Sequence, residues 1–280
     1  MNFVNPYKRI KKSIVAFTQK YEKLPNKNAP PPEFPTIIGT GFVIREDGII
    51  VTNNHVVEAF ATIFRPPDVL QHDYPVHVMI FKETEAGISY TPVEILNIGT
   101  IRGSLPKVYY GPKEGPDLAF VQVKVRGLSP VKFEDGIVLE EGLEVGTSGF
   151  PMGTVALTAP GWLHQVTPTL QKGIISSILP FPCKYPHGFT INVMAQGGAS
   201  GSPVFQWESG KVLGILYASL KDSCCFAINN NYYSAPILPT NISYVVPSYY
   251  ITKILESNEL KKLKLPPDTK SLDEIIGNEK

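Results

Sequence analysis

GTGFVIREDGIIVTNNHVV, residues 39–57, reads as two short strands joined by a tight turn and followed at once by a histidine. The runs IIGTGFVI (37–44) and GIIVTN (48–53) are rich in Ile, Val and Phe. Between them, Glu46-Asp47-Gly48 carries the Asp-Gly pair that a hairpin favours. The same strand signature recurs outward from this hairpin. SIVAFTQK (13–20) precedes it, and VHVMIFK (76–82), TPVEILNI (91–98) and LAFVQVKV (118–125) follow. Beyond the linker-like RGLSPVKFEDG (126–136) a second set begins: LEVGTSGF (143–150), QKGIISSIL (171–179), FTINVM (189–194), PVFQ (203–206), VLGILYAS (212–219) and NISYVV (241–246). Two groups of about six strands match the spacing of small antiparallel barrels or sandwiches.

Helical periodicity is confined to PSYYITKILESNELKKL (247–263), where Tyr250, Ile251, Ile254, Leu255 and Leu260 recur near helical spacing after a Pro-Ser start. PNKNAPPPEFP (25–35) reads as a loop, and the chain after Pro266-Pro267 reads as a mobile polar tail. Three regions follow: an N-terminal extension with the first strand group (1–130), the second group with the helix (131–265), and the tail (266–280).

Composition narrows the function classes. The 280 residues are 43% hydrophobic and 18% charged, ordinary for a soluble globular chain. The 26 prolines and 23 glycines favour short strands and turns over long helices. A formal net charge of +1 gives no reason to expect nucleic acid, and the basic run KRIKK (8–12) reads as a solvated face. No segment approaches the ~18 uninterrupted apolar residues of a membrane span. MNFVNPYKRIKK lacks the apolar core of a secretory leader. Three cysteines, two of them the adjacent Cys224 and Cys225, form no disulfide framework, so a reducing, cytoplasmic setting is expected.

Three polar residues at strand ends carry the chemistry. His55 follows one β-run, Asp117 opens another, and Ser200 sits in GGASGSPVF (197–205). Each alone has an ordinary reading: a packed imidazole, a strand-entry cap, a turn serine. Together they supply what nucleophilic serine catalysis needs, a hydroxyl, an imidazole base and a carboxylate that orients the base. The glycines beside Ser200 leave room for a scissile carbonyl, and the backbone N–H groups of Gly198 and Ser200 are candidate oxyanion donors. Asp68, Asp73 and Asp135 compete with Asp117, but none leads into a strand. His72, His77, His164 and His187 show no metal-ligand spacing, so neither metal nor cofactor is expected.

The order His55, Asp117, Ser200 and the segments around them resemble the chymotrypsin-fold (trypsin-like) serine proteases, and most closely the bacterial HtrA/Deg branch. GTGFVIREDGIIVTNNHVV is similar to that branch's histidine segment and PDLAFVQV (116–123) to its aspartate strand. GFPMG (149–153), GIISS (173–177) and ISYVVPS (242–248) are similar to elements of its second barrel. The resemblance covers about residues 13–256. It implies an all-β fold of two six-stranded antiparallel β-barrels, with the active site in the cleft between them and a C-terminal helix. Departures are visible too. Ala199 stands where the family usually has Asn or Asp, so activation through a salt bridge to a new N-terminus is not expected. Ser202 replaces a glycine, the loops 65–75 and 104–116 are long, and the family's PDZ module is not expected after the last helix.

The implied function is a serine endopeptidase acting on protein or peptide through an acyl-enzyme. A catalytically silent peptide-binding module and an esterase of the same mechanism are the alternatives. An unregulated peptidase would endanger a cytoplasm, so an activating protein partner or self-association is expected; a membrane partner is not. By resemblance, Met194 lies at the base of the specificity pocket and Leu216, Tyr217, Ala218 and Ser219 form a wall that pairs with substrate. None is acidic. The expected preference is cleavage after small or medium aliphatic residues, with Asp222 the nearest acid that could alter it. Cys183 and Cys225 are candidates for the pocket's flank.

Overall fold

The computed structural model describes residues 4–23, 34–67, 73–84, 87–101, 115–134, 138–153, 167–222, 225–228, 231–234 and 238–277. Six strands close the first barrel: β1 (Ile14–Gln19), β2 (Ile37–Arg45), β3 (Ile49–Thr52), β4 (Val76–Thr84), β5 (Gly87–Thr100) and β6 (Ala119–Val123), in the order β1-β2-β3-β6-β5-β4. A second closed barrel runs β10-β11-β14-β9-β8-β7. Its strands are β7 (Glu144–Gly149), β8 (Thr169–Leu179), β9 (Gly188–Ile191), β10 (Pro203–Gln206), β11 (Val212–Asp222) and β14 (Leu238–Pro247). All pairings within the two barrels are antiparallel. Every strand expected from the apolar runs is present. The structure adds a small hairpin, β12 (Cys225–Ile228) with β13 (Asn231–Ser234).

In β1, β2, β3, β6 and β10 the apolar runs do not alternate with polar residues because both faces of these strands are buried. Strand side chains point to opposite faces in turn. In β1, Val15 and Phe17 fill the first barrel while Ile14 and Ala16 face a shared core; in β3, Ile50 points in and Ile49 and Val51 point out. The second barrel repeats this, with Val204, Leu213, Leu216 and Val245 inside and Phe205, Ile215 and Val246 in the shared core. The shared core therefore joins the barrels. Each fully buried Phe or Ile there contributes roughly 1.5–3 kcal/mol relative to exposure.

The expected helix at 247–263 is divided into α3 (Ser248–Leu255) and α4 (Asn258–Lys262). Ser257 explains the break: its side chain accepts from the Leu260 N–H at 3.4 Å, which starts a new helix. Arg45 donates to the Leu260 and Leu263 carbonyls at 2.6 and 3.3 Å, fixing the far end of α4 on the first barrel. At the other terminus, α1 (Val4–Lys11) buries Ile10, and the Tyr7 hydroxyl reaches Ser148 Oγ at 3.0 Å. Lys8, Arg9 and Lys12 of the basic run are exposed.

The polar tail is anchored, contrary to the expected mobility. Arg126 donates its N–H to the Lys270 carbonyl and accepts from Leu272, at 3.2 and 2.9 Å. Leu272 and Ile275 of α5 (Leu272–Gly277) pack against the core of the first barrel, and Thr269 is buried. Composition hid this, because two apolar residues spaced by three are enough to dock one short helix. Among the described residues, no helix is long and apolar enough to cross a membrane.

Candidate active site

β3 ends at Thr52 and the chain turns into α2 (Asn54–Glu58), which carries His55. Asp117 lies just ahead of β6, the strand hydrogen-bonded beside β3. Adjacent strands therefore deliver the imidazole and the carboxylate to one end of the first barrel. The contact is direct. His55 Nδ1 lies 2.6 Å from Asp117 Oδ2, and the His55 backbone N–H donates to Asp117 Oδ1 at 3.1 Å. Asn53 adds a third tie, donating from Nδ2 to the Asp117 carbonyl at 2.9 Å. Both carboxylate oxygens are thus committed to His55. An imidazole that donates from Nδ1 presents an unprotonated Nε2, the form a general base requires. The His55 side chain remains 46% exposed and that of Asp117 26%, so the base is reachable while the carboxylate is largely covered.

Ser200 is carried by two consecutive β-turns. The Ala199 N–H donates to the Gln196 carbonyl at 3.0 Å, and the Ser202 N–H to the Ala199 carbonyl at 3.0 Å. The third residues of these turns are Gly198 and Gly201, both at φ +90°. Positive φ at that position is what a type II turn demands, and glycine meets it without strain. Space excludes a side chain as well: a Cβ on Gly198 would meet the Phe150 carbonyl, and one on Gly201 the Thr40 carbonyl. Among the described residues, neither the Gly198 nor the Ser200 N–H is bonded to an acceptor.

The serine turn is docked on the first barrel. The Thr40 N–H donates to the Ser200 carbonyl at 2.9 Å, and Thr40 Oγ1 to the Gly198 carbonyl at 2.7 Å. Next along β2, a Cβ on Gly39 would lie 2.7 Å from Val56 Cγ1 and 3.5 Å from the Ser200 oxygen. Gly39 therefore lets the residue after His55 and the serine turn approach a common point. On the other side, β11 holds the turn through Gly201 N–H to Leu216 O (2.9 Å) and Leu216 N–H to Ser202 O (3.0 Å). Asp117 contacts His55 directly, and the serine turn docks on β2 beside Val56, the residue after His55; among the described residues no hydrogen bond joins His55 to Ser200.

Of the competing carboxylates, Asp73 is occupied by Lys20, whose Nζ donates to its two oxygens at 2.9 and 3.1 Å. That hydrogen bond holds the Asp73 carboxyl below its ordinary range. Asp68 and Asp135 lie outside the described residues, as do His72, His164 and Cys224. The backbones of Asp222 and Cys225 are in strands, but their side chains are outside the described set.

The expected specificity residues are partly regrouped. Met194 is 39% exposed, and its carbonyl accepts from Gln171 Nε2 at 3.3 Å. Its neighbours are fixed by the buried Ser243, which donates from Oγ to the Val193 carbonyl at 2.5 Å and accepts from the Ala195 N–H at 3.2 Å. Tyr217, Ala218 and Ser219 are half-buried. The Leu216 side chain is 1% exposed in the core of the second barrel, and its backbone faces the turn. Burial pushes the Tyr217 phenol up, with smaller contributions from Tyr244 and Asp117, which places this ring within electrostatic reach of the carboxylate. Cys183 is a free thiol on the far loop 180–187, in the wall of a cavity of about 550 Å³ with Tyr185 and Tyr249. None of His55, Asp117 and Ser200 lines that cavity.

The model of the trypsin-like peptidase domain matches residues 39–215, which is more than half of the chain. The chain belongs to the trypsin-like peptidase family. Solved structures share its fold at low identity. The HtrA-type protease AlgW with a tripeptide is 15% identical with a TM-score of 0.51, over 92% of this chain and 63% of that one. A serine endoprotease from Yersinia pestis is 16% identical with a TM-score of 0.51, over 91% and 66%. Deg5 is 18% identical with a TM-score of 0.50, over 89% and 90%. The chain thus spans less than two thirds of the length of the first two. A search of the curated proteins finds no match to its sequence.

Two residues that shape the candidate site carried no functional signal in the sequence. Thr40 is a lone polar residue between glycines in an apolar strand, and that interruption was its only mark. Asn53 is the first of two successive asparagines before His55 and closes the apolar run 48–53.

Proposed function

We propose that the chain is a serine endopeptidase working through an acyl-enzyme. Ser200 Oγ adds to the scissile carbonyl carbon while its proton passes to His55 Nε2. Asp117 keeps the imidazole in the tautomer that can accept this proton and stabilises the imidazolium that results. The carbonyl oxygen becomes an oxyanion bound by the N–H groups of Gly198 and Ser200. Collapse of the adduct breaks the C–N bond, and His55 returns the proton to the leaving amine. Water then repeats the sequence on the acyl-enzyme, releasing the acid and restoring Ser200. The observation that carries this reading is the two-point grip of Asp117 on His55, at 2.6 and 3.1 Å, at the seam where the serine turn docks.

The same reading extends to specificity. Met194, Tyr217, Ala218 and Ser219 offer apolar surface and neutral polar groups and no carboxylate. An Arg or Lys side chain would be desolvated without a partner, whereas an aliphatic one gains about 0.8 kcal/mol per buried methylene. Peptides differing only at the residue before the scissile bond test both activity and preference. Val, Leu or Ala should exceed Arg or Lys by about 10²-fold in kcat/KM. A preference for Arg or Lys would mean that an acid such as Asp222 enters the pocket, and absence of any cleavage would remove the peptidase reading.

A further inference from the structure

Thr40 touches the serine turn twice. Its N–H donates to the Ser200 carbonyl at 2.9 Å and its Oγ1 to the Gly198 carbonyl at 2.7 Å. The orientation of the hydroxyl is forced, because Oγ1 also accepts from the Phe150 N–H at 3.1 Å. Phe150 N–H can only donate and Gly198 O can only accept, so the single hydroxyl proton points at Gly198. The Thr40 carbonyl is engaged in turn by Thr52 Oγ1 at 2.8 Å, at the end of the strand that leads to His55. Thr40 is fully buried, so water does not compete for these bonds.

The two carbonyls held by Thr40 flank the Ala199–Ser200 peptide, whose N–H is one of the two oxyanion donors. Gly198 supplies the other. Glycine is soft in φ and ψ, so a turn with Gly197 and Gly198 before the serine and Gly201 after it is held only in part by its own hydrogen bonds, from Ala199 N–H to Gln196 O and from Ser202 N–H to Ala199 O. Contacts from outside the turn add to these, and preorganised donors are effective only when their direction is fixed before the reaction.

We infer that Thr40 is a positioning residue for the oxyanion hole: its hydroxyl and N–H lock the carbonyls of Gly198 and Ser200, and thereby aim the backbone donors beside the nucleophile. The inference rests on the serine-peptidase reading. In the step concerned, a bond forms between Ser200 Oγ and the carbonyl carbon. The hydroxyl proton moves to His55 Nε2, and the C=O π pair moves onto the oxygen that the aimed N–H groups bind. Thr40 touches none of these reacting atoms.

The test compares Thr40→Val, which keeps the shape and the N–H bond but loses the hydroxyl, with Thr40→Ser, which keeps the hydroxyl. Active sites are first counted with a fluorophosphonate, so that kcat is expressed per competent serine. Inhibition by a peptide aldehyde, which forms the tetrahedral adduct at Ser200, is measured alongside. In Thr40→Val, kcat should fall on the order of 10²-fold with KM nearly unchanged, the loss expected when donors are misplaced by ~1 Å. Aldehyde affinity should fall in parallel, and Thr40→Ser should recover most of both. A merely structural role would lower the number of competent sites and leave kcat and aldehyde affinity per site untouched, which would overturn the inference. If Thr40→Val shows no cooperative unfolding, Thr40→Cys, with its weaker S–H donor, carries the test with a fall of about 10-fold. An unchanged kcat in that variant would also overturn it. Wild-type protein that is not labelled at Ser200 would remove the peptidase reading and this inference together; labelled wild type with an unaffected Thr40→Val would remove the inference alone.

Discussion

Ser200→Ala is expected to lower kcat for a cleavable peptide by about 10⁶-fold, the scale seen when a serine protease loses its nucleophile. The loss is this large because the three residues act as a unit: without Oγ, an oriented His55 has no proton to accept. The residue left behind still presents its N–H, so a small rate above the uncatalysed reaction should persist through binding and oxyanion stabilisation. The fold should not notice the change. Ser200 holds its place through its carbonyl, which accepts from Thr40 at 2.9 Å, and alanine retains that carbonyl. Thermal unfolding should therefore move by no more than about 0.5 kcal/mol equivalent. Peptide turnover at the wild-type rate in this variant would place the chemistry elsewhere.

Asp117→Asn should cost about 10⁴ in kcat, again with little effect on stability. The asparagine oxygen can still accept the His55 N–H that now reaches Oδ1 at 3.1 Å. The amide placed at the other oxygen's position, 2.6 Å from Nδ1, is a donor instead of an acceptor. It favours the tautomer protonated on Nε2, which cannot take the proton of Ser200. Asp73→Asn is the matched control. It disrupts an ion pair with Lys20 in which the Asp73 side chain is 40% exposed, so turnover should stay near wild type. A harmless Asp117→Asn beside a crippling Asp73→Asn would reverse the assignment.

Much of the two barrels was legible because strands such as β1, β2, β3 and β6 are buried on both faces, so that Ile, Val and Phe crowd into short runs bounded by turn residues. Residues 37–53 carried the most information, with an Asp-Gly turn, two such runs and the histidine in immediate succession. The elements that escaped lack this redundancy. α1 has Pro6 near its start and a basic surface, and only Ile10 and Tyr7 mark its packing face. β12 and β13 are four residues each, too short for a period to emerge. α5 docks through Leu272 and Ile275 inside a polar stretch, which composition reads as mobile.

At the candidate site, His55, Asp117 and Ser200 were readable as candidates because their side-chain chemistry marks them. Thr40 was not, since its contribution depends on which carbonyls a neighbouring barrel places within 3 Å of it. The Leu216 backbone lies against the serine turn while its side chain enters the second barrel, beside a register shift between Leu216 and Ala218 in the pairing with β14.

The most direct test of the account is reaction of the intact protein with a fluorophosphonate probe, with the modified residue mapped by mass spectrometry. Phosphonylation needs a hydroxyl whose proton can be taken by a correctly oriented imidazole, so it reads the nucleophile and its base in one measurement. The account predicts one adduct per chain, on Ser200, absent in Ser200→Ala and strongly slowed in Asp117→Asn. A cooperatively folded protein that forms no adduct, or forms it on another residue, would contradict it.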